Sequence, residues 1–322
     1  MEKLPDFSLI AADLYLFEKR FKAAVKSQAP LLDRITHYII NRKGKQLRPK
    51  FVILSARLFG ETNESTFNAA SLVELLHTAT LVHDDVVDEA NERRGFFSIN
   101  ALWKNKVAVL VGDYLLSKGL LLSLDNNEHR ILQIVSHAVR KMSEGELLQM
   151  EKSRKLNFDE EIYYEIIKNK TASLLASACG AGAWSTSKDD ALTEKVMLFG
   201  EKAGMAFQIK DDLFDYGNDD VGKPTGNDIK EKKLTLPLIY TLQHLDKAKR
   251  KKAIYILKNQ NRDKEKVKIL IDIVNQTGGI DYARGKMNAY RDEAMEILKT
   301  LPQNDANKAL EQLVRYTTDR SY

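Results

Sequence analysis

The chain contains little cysteine and little proline. Cys179 is its single cysteine, so no internal disulfide can form and a reducing compartment is the natural setting. We therefore expect a cytoplasmic protein. Only six of the 322 residues are proline, and none lies between Pro49 and Pro224. Because average composition gives about 5% proline, this long interval is depleted of the strongest helix breaker.

Long apolar runs and dense basic runs are also missing. The longest stretch without a charged residue, 171–187, has 17 residues and includes Thr, Ser and Gly, which is too short and too polar for a membrane span. The N-terminal residues mix acidic with apolar side chains and show no small-residue cleavage site, so we expect no signal peptide. The net charge of +5 is spread along the chain, which gives no indication of nucleic-acid binding.

What the chain does contain is a helical pattern. Hydrophobic residues make up 43% and charged residues 30%, a composition typical of a folded soluble protein. Apolar residues recur three and four positions apart, whereas the alternation typical of strands is scarce. Asn157 and Ser187, each followed three residues later by an acid, are predicted helix caps. Long helices are predicted near 64–90, 106–123, 128–151, 158–184 and 189–217, within one all-α domain over residues 1–322.

Three aspartates lie within five residues near the end of the first of these long helices: Asp84, Asp85 and Asp88. At about 100° per residue, Asp84 and Asp88 project from one face, with His77 two turns earlier. Carboxylates four positions apart repel each other by a few tenths of a kcal/mol, so a bound cation is a plausible reason to keep them. Taken alone, the motif is equally compatible with a solvated acidic turn.

The same spacing recurs at Asp211, Asp212 and Asp215, near the end of another predicted helix. Two such helix ends facing each other would form an oxygen-rich mouth above a hydrophobic shaft. Hard oxygen ligands without cysteine suit Mg²⁺. Because Mg²⁺ held by few carboxylates takes its remaining ligands from water and substrate phosphates, the pattern predicts a phosphorylated substrate.

Over nearly its whole length the chain resembles the all-trans polyprenyl diphosphate synthases, a family of head-to-tail isoprenoid chain-elongating enzymes. Both aspartate clusters match the two Asp-rich motifs of that family. Further matches follow in the expected order: Gly44-Lys45-Gln46-Leu47-Arg48-Pro49, His77, Arg93-Arg94-Gly95, Lys170-Thr171, Phe207-Gln208, Gly222-Lys223-Pro224 and Lys233-Leu234-Thr235-Leu236-Pro237. Lys43, Lys232 and Phe96-Phe97 replace residues that are common in the family, and none of them is an expected ligand.

The resemblance implies a bundle of long helices around a central hydrophobic cavity, acting as a homodimer. It implies that both aspartate clusters are catalytic and that Asp84, Asp88 and Asp211 hold Mg²⁺, for which Mn²⁺ can substitute. It assigns isopentenyl diphosphate to Lys45, Arg48, His77 and Arg94. It assigns the allylic prenyl diphosphate to Arg93, Lys170, Thr171, Gln208, Lys223 and Lys233.

Product length in this family depends on side chains that block the shaft below the first aspartate cluster. Here the residues five and four positions before Asp84 are Ala79 and Thr80, both small. Thr80 lies about 40° from Asp84 around the helix and Ala79 about 140°, so Thr80 is more directly beneath the diphosphate. Leu76 and Leu72 are candidates for the lower wall. The resemblance therefore implies a product of about C30 to C40, as in respiratory quinones, with a short-chain geranylgeranyl or farnesyl product as the alternative.

Three other classes of protein share some of these sequence features. A terpene cyclase resembles this family in fold, but it lacks the isopentenyl diphosphate ligands and carries a different second metal motif. A di-iron carboxylate protein is suggested by the spacing of Glu74 and His77, but it needs a second such pair, and the sequence contains none. A non-catalytic synthase subunit usually loses aspartates, whereas both clusters are present here.

Overall fold

The computed structural model describes residues 7–41, 44–93, 96–156, 158–217 and 226–319, with Arg93 described by its backbone alone. Its helices run in chain order as follows: α1 Ala11–Val25, α2 Pro30–Ile40, α3 Leu47–Arg57, α4 Glu64–Val87, α5 Ile99–Asp125, α6 His129–Lys155, α7 Glu160–Ile167, α8 Ser173–Ser187, α9 Asp190–Phe214, α10 Asn227–Lys230, α11 Leu236–His244, α12 Lys247–Asn259, α13 Lys264–Thr277, α14 Gly279–Lys299 and α15 Asp305–Asp319. A 3₁₀ turn, Ser8–Ile10, precedes α1, and a π-helical turn, Lys168–Ala172, joins α7 to α8. The prediction of an all-α bundle is confirmed.

A two-residue ribbon is the only β-structure within the described ranges. Strand β1, Glu92–Arg93, pairs antiparallel with β2, Phe96–Phe97, directly after the first aspartate cluster. The ribbon leads into α5, whose N-cap Ser98 accepts a hydrogen bond from the backbone N–H of Ala101. Helix α5 therefore begins at Ile99, seven residues earlier than predicted, and it bends at Lys104, where φ is +71°.

The N-caps of α7 and α9 also differ from the predicted Asn157 and Ser187, by two residues each. Asp159 caps α7 by accepting hydrogen bonds from the backbone N–H groups of Glu161 and Ile162. Asp189 caps α9 in the same way through the N–H of Leu192. In both places the aspartate directly precedes the first helical residue, and its carboxylate also complements the positive N-terminal end of the helix dipole.

Helix α8 lies at the centre of the bundle, in contact with α3, α4, α6 and α9. Its segment from Ala176 to Ala183 is made of small residues, which bring the neighbouring backbones close. A Cβ atom on Gly182 would lie 2.1 Å from the carbonyl oxygen of Val52, and one on Gly200 of α9 would lie 2.9 Å from Cα of Ala176. This close approach fixes the positions of α3 and α9 against α8.

Helix α5 is long and apolar enough to cross a membrane by length and composition, contrary to expectation. The expectation rested on runs without charge, whereas α5 carries a few charged residues among many apolar ones. About a third of its most apolar window, 33%, is buried within the protein, where α5 packs along α4. One such helix is weak evidence for a membrane, because core helices pass the same test, and α5 is a partly buried core helix.

Candidate active site

The first aspartate cluster lies at the C-terminal end of α4. Asp85 points into the protein and is 4% exposed, whereas Asp84 is half-buried and Asp88 is exposed. This split follows from helix geometry, since neighbouring residues diverge by about 100° while residues four apart nearly align. The C-terminal end of a helix carries a partial negative charge, so carboxylates at this end are unfavourably placed unless a cation is present.

The second cluster ends α9 in the same manner. Asp212 is 7% exposed, whereas Asp211 and Asp215 are half-buried. Asp215 accepts hydrogen bonds from the backbone N–H groups of Asn227, at 2.8 Å, and Asp228, at 3.0 Å. Asp215 therefore ties the end of α9 to the start of α10, while Asp211 stays at the mouth.

Asp212 is hydrogen-bonded to side chains of two helices. Its carboxylate accepts hydrogen bonds from the Tyr163 hydroxyl at 2.7 Å and from Nε2 of Gln208 at 2.8 Å. Burial raises the pKa of Asp212 to about 8, helped by the nearby charge of Asp228 and opposed by the two donors. This carboxyl therefore lies in a poorly hydrated environment with other carboxylates nearby, where its charged form is disfavoured.

Lys233 connects the two clusters electrostatically. Its ammonium lies 2.5 Å from Glu231 and 3.6 Å from Asp228. Burial opposes the charged form, but these carboxylates outweigh it and raise the pKa of Lys233, with a further contribution from Asp88 of the first cluster. Asp88 at the end of α4 is therefore close enough to Lys233 for their charges to interact.

Asp228 is an acidic member of this site that sequence reasoning did not single out. Burial raises its pKa to about 6; Lys233 opposes the shift, and the charges of Asp215 and Asp211 add to it. Its position between two matched segments, Gly222-Lys223-Pro224 and Lys233, was the available signal. The negative charge at the end of α9 is thus larger than the three-aspartate motif alone implies.

Lys170 and Thr171 project from the π-helical turn Lys168–Ala172. Lys170 forms an ion pair with Glu146 of α6 at 2.5 Å and a long hydrogen bond of 3.5 Å to Gln149. Thr171 donates a hydrogen bond of 2.7 Å to Oε1 of Gln208. A π-turn inserts one extra residue into a helix and is frequent at functional sites.

Glu146 and Gln149 were also not predicted as site residues. They are three positions apart on the long helix predicted near 128–151, so they share a face. That face reaches the π-turn because Gly145 has no side chain: a Cβ there would lie 2.9 Å from Cβ of Asn169 and 3.0 Å from the backbone nitrogen of Lys170. Their partner, Lys170, is evident only from the contact between α6 and the π-helical turn.

The residues assigned to isopentenyl diphosphate come from α3 and α4. Arg48 lies half-buried in the first turn of α3, and His77, in α4, is 7% exposed. Lys45 precedes α3, and its ammonium donates to the Tyr316 hydroxyl of α15 at 3.1 Å. The pKa of Lys50 is lowered by burial and by the charge of Lys45, so the start of α3 is a basic region that favours an anion.

Three of the predicted ligands are not tested by the geometry. Arg94 and Lys223 lie outside the described residues, and so does the side chain of Arg93.

The two residues assigned to product length differ in their surroundings. Ala79 is fully buried in a cluster that includes Val111 and Leu115 of α5. Thr80 is half-buried, and its hydroxyl donates to the backbone carbonyl of His77 at 2.8 Å. Leu76 and Leu72, one and two turns further from the cluster, pack on Gly119 of α5.

The donor set fits a magnesium ion. Within the part of the chain that the structure describes, no three acidic or histidine side chains converge closely enough to enclose a metal by themselves. Mg²⁺ is commonly held by one or two carboxylates while water and phosphate complete its octahedron, so it does not require such a cage. Asp84 and Asp88 on one helix end and Asp211 on the other are the accessible oxygen donors.

The arrangement defines an all-helical enzyme of the isoprenoid synthase fold, with two facing aspartate clusters. A polyprenyl synthase of Caulobacter crescentus CB15, solved in complex with calcium and isoprenyl diphosphate, superposes with a TM-score of 0.92 at 32% identity and covers 100% of both chains. The polyprenyl synthetase family model matches residues 29–274. The chain therefore belongs to the polyprenyl synthetase family, whose members are chain-elongating trans-prenyltransferases of isoprenoid biosynthesis that use a divalent metal.

Curated relatives of different product length are about equally similar. The chain is 32% identical to component 2 of heptaprenyl diphosphate synthase from Geobacillus stearothermophilus, covering 98% of both chains. It is 33% identical to the all-trans-nonaprenyl-diphosphate synthase (geranyl-diphosphate specific) of Rhodobacter capsulatus, over 97% of this chain and 96% of that one. The geranylgeranyl diphosphate synthase of Saccharolobus solfataricus is 32% identical, with 94% of each chain covered. Identity therefore establishes the family and the reaction type but not the product length.

Proposed function

We propose that this enzyme condenses isopentenyl diphosphate repeatedly with an allylic diphosphate to give a long all-trans polyprenyl diphosphate of about C30 to C40, a precursor of a quinone side chain. The observation that carries the proposal is the pair Ala79 and Thr80 on α4, one turn before the first aspartate cluster, where no aromatic ring is present. A growing apolar chain can pass small side chains but not a ring. A short-chain geranylgeranyl or farnesyl product is the second candidate, supported by the similarity to a geranylgeranyl diphosphate synthase.

The leaving diphosphate is proposed to bind between the two clusters. Asp84, Asp88 and Asp211 would hold Mg²⁺, which supplies positive charge to the departing diphosphate as the allylic carbocation forms. Their support is location, since all three reach solvent at helix ends whose own dipoles disfavour carboxylates. Asp85 and Asp212 are buried behind them, and Asp215 anchors α10, so these three are proposed to position the metal ligands.

Basic and polar side chains complete the allylic site. Lys170 and Lys233 would add positive charge to the same diphosphate, and Thr171 and Gln208 would provide hydrogen-bonding atoms. Lys170 and Lys233 are each already paired with carboxylates, which hold the two ammonium groups in place before substrate arrives. Such preorganised charge requires no rearrangement at the moment of ionisation. Arg93 and Lys223 are proposed for the same diphosphate from the resemblance alone.

Isopentenyl diphosphate is proposed to bind at the basic region formed by Lys45, Arg48 and His77, with Arg94 added from the resemblance. This region begins α3 and borders α4, so a bound molecule could direct its double bond towards the carbocation. Proton loss then completes each condensation, and we propose that the released diphosphate accepts the proton. The side chains bind, orient and neutralise, and none is assigned as the base.

We further propose that the protein works in the cytoplasm as a homodimer of chains that each form one domain over residues 1–322. The outward face of α5 supports the dimer, because Val109, Leu110, Leu121 and Leu124 are exposed on it, with Leu110 at 67%. Apolar patches of this kind mark protein interfaces. One relative is component 2 of its enzyme, so a heteromer is the alternative occupant of this face. Light scattering of the purified chain separates the two, and Leu110→Glu with Leu121→Glu should give a monomer.

The decisive experiment incubates the purified enzyme and Mg²⁺ with radiolabelled isopentenyl diphosphate and, in turn, C5, C10, C15 and C20 allylic diphosphates. We expect products of about C30 to C40, separated by chain length. Products that stop at C15 or C20 would establish the short-chain alternative. Cyclic hydrocarbon or no incorporation with any primer would overturn chain elongation for this protein.

A further inference from the structure

Tyr163 is a buried polar residue of α7 that the proposed mechanism does not yet use. Its ring is 4% exposed, and its hydroxyl lies 2.7 Å from Oδ2 of Asp212, the buried aspartate of the second cluster. Burial, together with the charge of Asp212, raises the pKa of Tyr163 well above its ordinary value. The hydroxyl therefore keeps its proton and acts as the donor in this hydrogen bond.

A chain of hydrogen bonds continues from Asp212 towards the allylic site. The second carboxylate oxygen, Oδ1, accepts from Nε2 of Gln208 at 2.8 Å. Oε1 of Gln208 in turn accepts from the Thr171 hydroxyl at 2.7 Å. Three elements, α7, α9 and the π-turn, are thus joined through side chains separated by up to 49 residues in sequence.

The chemistry of this chain fixes the orientation of the Gln208 amide. Nε2 of Gln208 donates to Asp212 while Oε1 accepts from Thr171, so the two contacts together orient the amide with its NH₂ side towards Asp212. One N–H of Gln208 is used on Asp212, and the other remains for a second acceptor such as a diphosphate oxygen. The Thr171 hydroxyl donates its hydrogen to Gln208 here, so it can donate to a diphosphate oxygen only by rotating away from Gln208.

We infer that Tyr163 is a positioning residue of the allylic diphosphate site, acting through Asp212 on the Gln208 amide, an inference that rests on the proposed function. Without the Tyr163 hydroxyl, Asp212 keeps Gln208 as its single side-chain donor among the described contacts. The Asp212 side chain can then rotate towards Asp211, the proposed metal ligand. The Gln208 amide then loses the fixed acceptor that orients it. Tyr163 itself touches neither substrate.

Tyr163→Phe tests this inference, with Tyr164→Phe as the matched control. Both variants remove one hydroxyl from neighbouring tyrosines of α7. The Tyr164 hydroxyl, however, donates to Glu160 at 2.8 Å and takes no part in the hydrogen bonds that link Tyr163 to Thr171. Loss of this buried hydrogen bond justifies an expected drop of about 10-fold in kcat/KM for the allylic diphosphate in Tyr163→Phe. KM for isopentenyl diphosphate should stay within about twofold, and the control should match wild type for both substrates.

A double variant separates positioning from general stability. If Tyr163 acts through Gln208, Tyr163→Phe combined with Gln208→Ala should be no slower than Gln208→Ala alone, because the pathway is already interrupted. Additive losses in the double variant would overturn the inference. Equal kinetics for Tyr163→Phe and Tyr164→Phe, or equal rises in both KM values, would also overturn it.

Binding of inorganic diphosphate with Mg²⁺, measured by titration calorimetry, provides a readout that does not depend on turnover. We expect weaker binding in Tyr163→Phe than in Tyr164→Phe, with thermal unfolding confirming that both variants are folded. If wild type binds diphosphate but forms no prenyl product, the proposed function fails while this comparison still decides the role of Tyr163. Identical diphosphate binding in the two variants would count against that role.

Discussion

The ammonium of Lys170 lies 2.5 Å from the carboxylate of Glu146, across the contact between the π-helical turn and α6. Both side chains are partly buried, at 31% and 21% exposed, so the pair has a restricted geometry that two flexible surface side chains would lack. The ion pair holds one of the three lysines assigned to the allylic diphosphate at a fixed place beside the second cluster.

Glu146→Gln should therefore raise KM for the allylic diphosphate by about threefold to 10-fold, because Lys170 loses the charge that fixes its position. Glu144→Gln is the control, since Glu144 is 59% exposed on the same helix and pairs only loosely with Arg140 at 3.9 Å. Steady-state kinetics with each substrate varied in turn measure the effect. A fall in KM for Glu146→Gln would show instead that Glu146 competes with the diphosphate for Lys170.

Asp84→Ala, Asp88→Ala and Asp211→Ala should each lower kcat by at least about 100-fold, because each removes charge stabilisation of the departing diphosphate. Asp272→Ala, an exposed aspartate of α13, should leave kcat unchanged. Wild-type activity should disappear in EDTA and return with excess Mg²⁺ or Mn²⁺. Near-normal turnover in all three variants, with circular dichroism showing a normal fold, would remove the metal assignment.

Thr80→Phe should shorten the product towards C15 or C20 while leaving the first condensation largely intact, because the ring blocks chain growth without touching a metal ligand. Ala79→Phe is expected to act in the same direction. Since Ala79 is fully buried against α5, its replacement also overpacks the core and costs about 1–3 kcal/mol of stability. Thr80→Phe is therefore the sharper test, and an unchanged product length in that variant contradicts the shaft assignment.

Gly182→Ala should destabilise the fold by several kcal/mol, because its new Cβ would lie 2.1 Å from the Val52 carbonyl oxygen and backbone cannot easily move there. Gly285→Ala in α14 is the matched control. No heavy atom lies within 4 Å of a Cβ at that position, so the change should stabilise the helix by up to about 1 kcal/mol. Urea unfolding measures both free energies, and equal effects would show that α8 and α3 do not pack so closely.

Cys179 should resist alkylation in the native protein. It is fully buried, and burial raises the pKa of its thiol to about 12. The thiolate is the reactive form, so from pH 7 to 9 the native thiol is both inaccessible and protonated. Iodoacetamide followed by mass spectrometry should modify Cys179 only after unfolding in denaturant. Rapid modification of the folded protein would contradict the burial of this residue.

The sequence was sufficient for the properties that short-range rules control. Helical periodicity and the scarcity of proline predicted the bundle, and the two aspartate clusters lie at helix ends, those of α4 and α9, as their spacing predicted. Asp84 and Asp88 could be placed on one face from the 100° rotation per residue alone. Cap positions were two residues out because several adjacent polar residues compete to satisfy the first backbone N–H groups.

The pairings between distant residues were decided only by the tertiary structure. Asp211 and Asp212 are identical side chains in one motif, yet packing buries Asp212 against Tyr163 and leaves Asp211 at the mouth. Glu146 joined the site for the same reason, since its partner Lys170 is brought to it by a helix contact, whereas Asp228 meets Lys233 through a local turn. Local periodicity determines which face a residue occupies, but burial and hydrogen-bond partners depend on which other face packs against it, and no short-range rule contains that information.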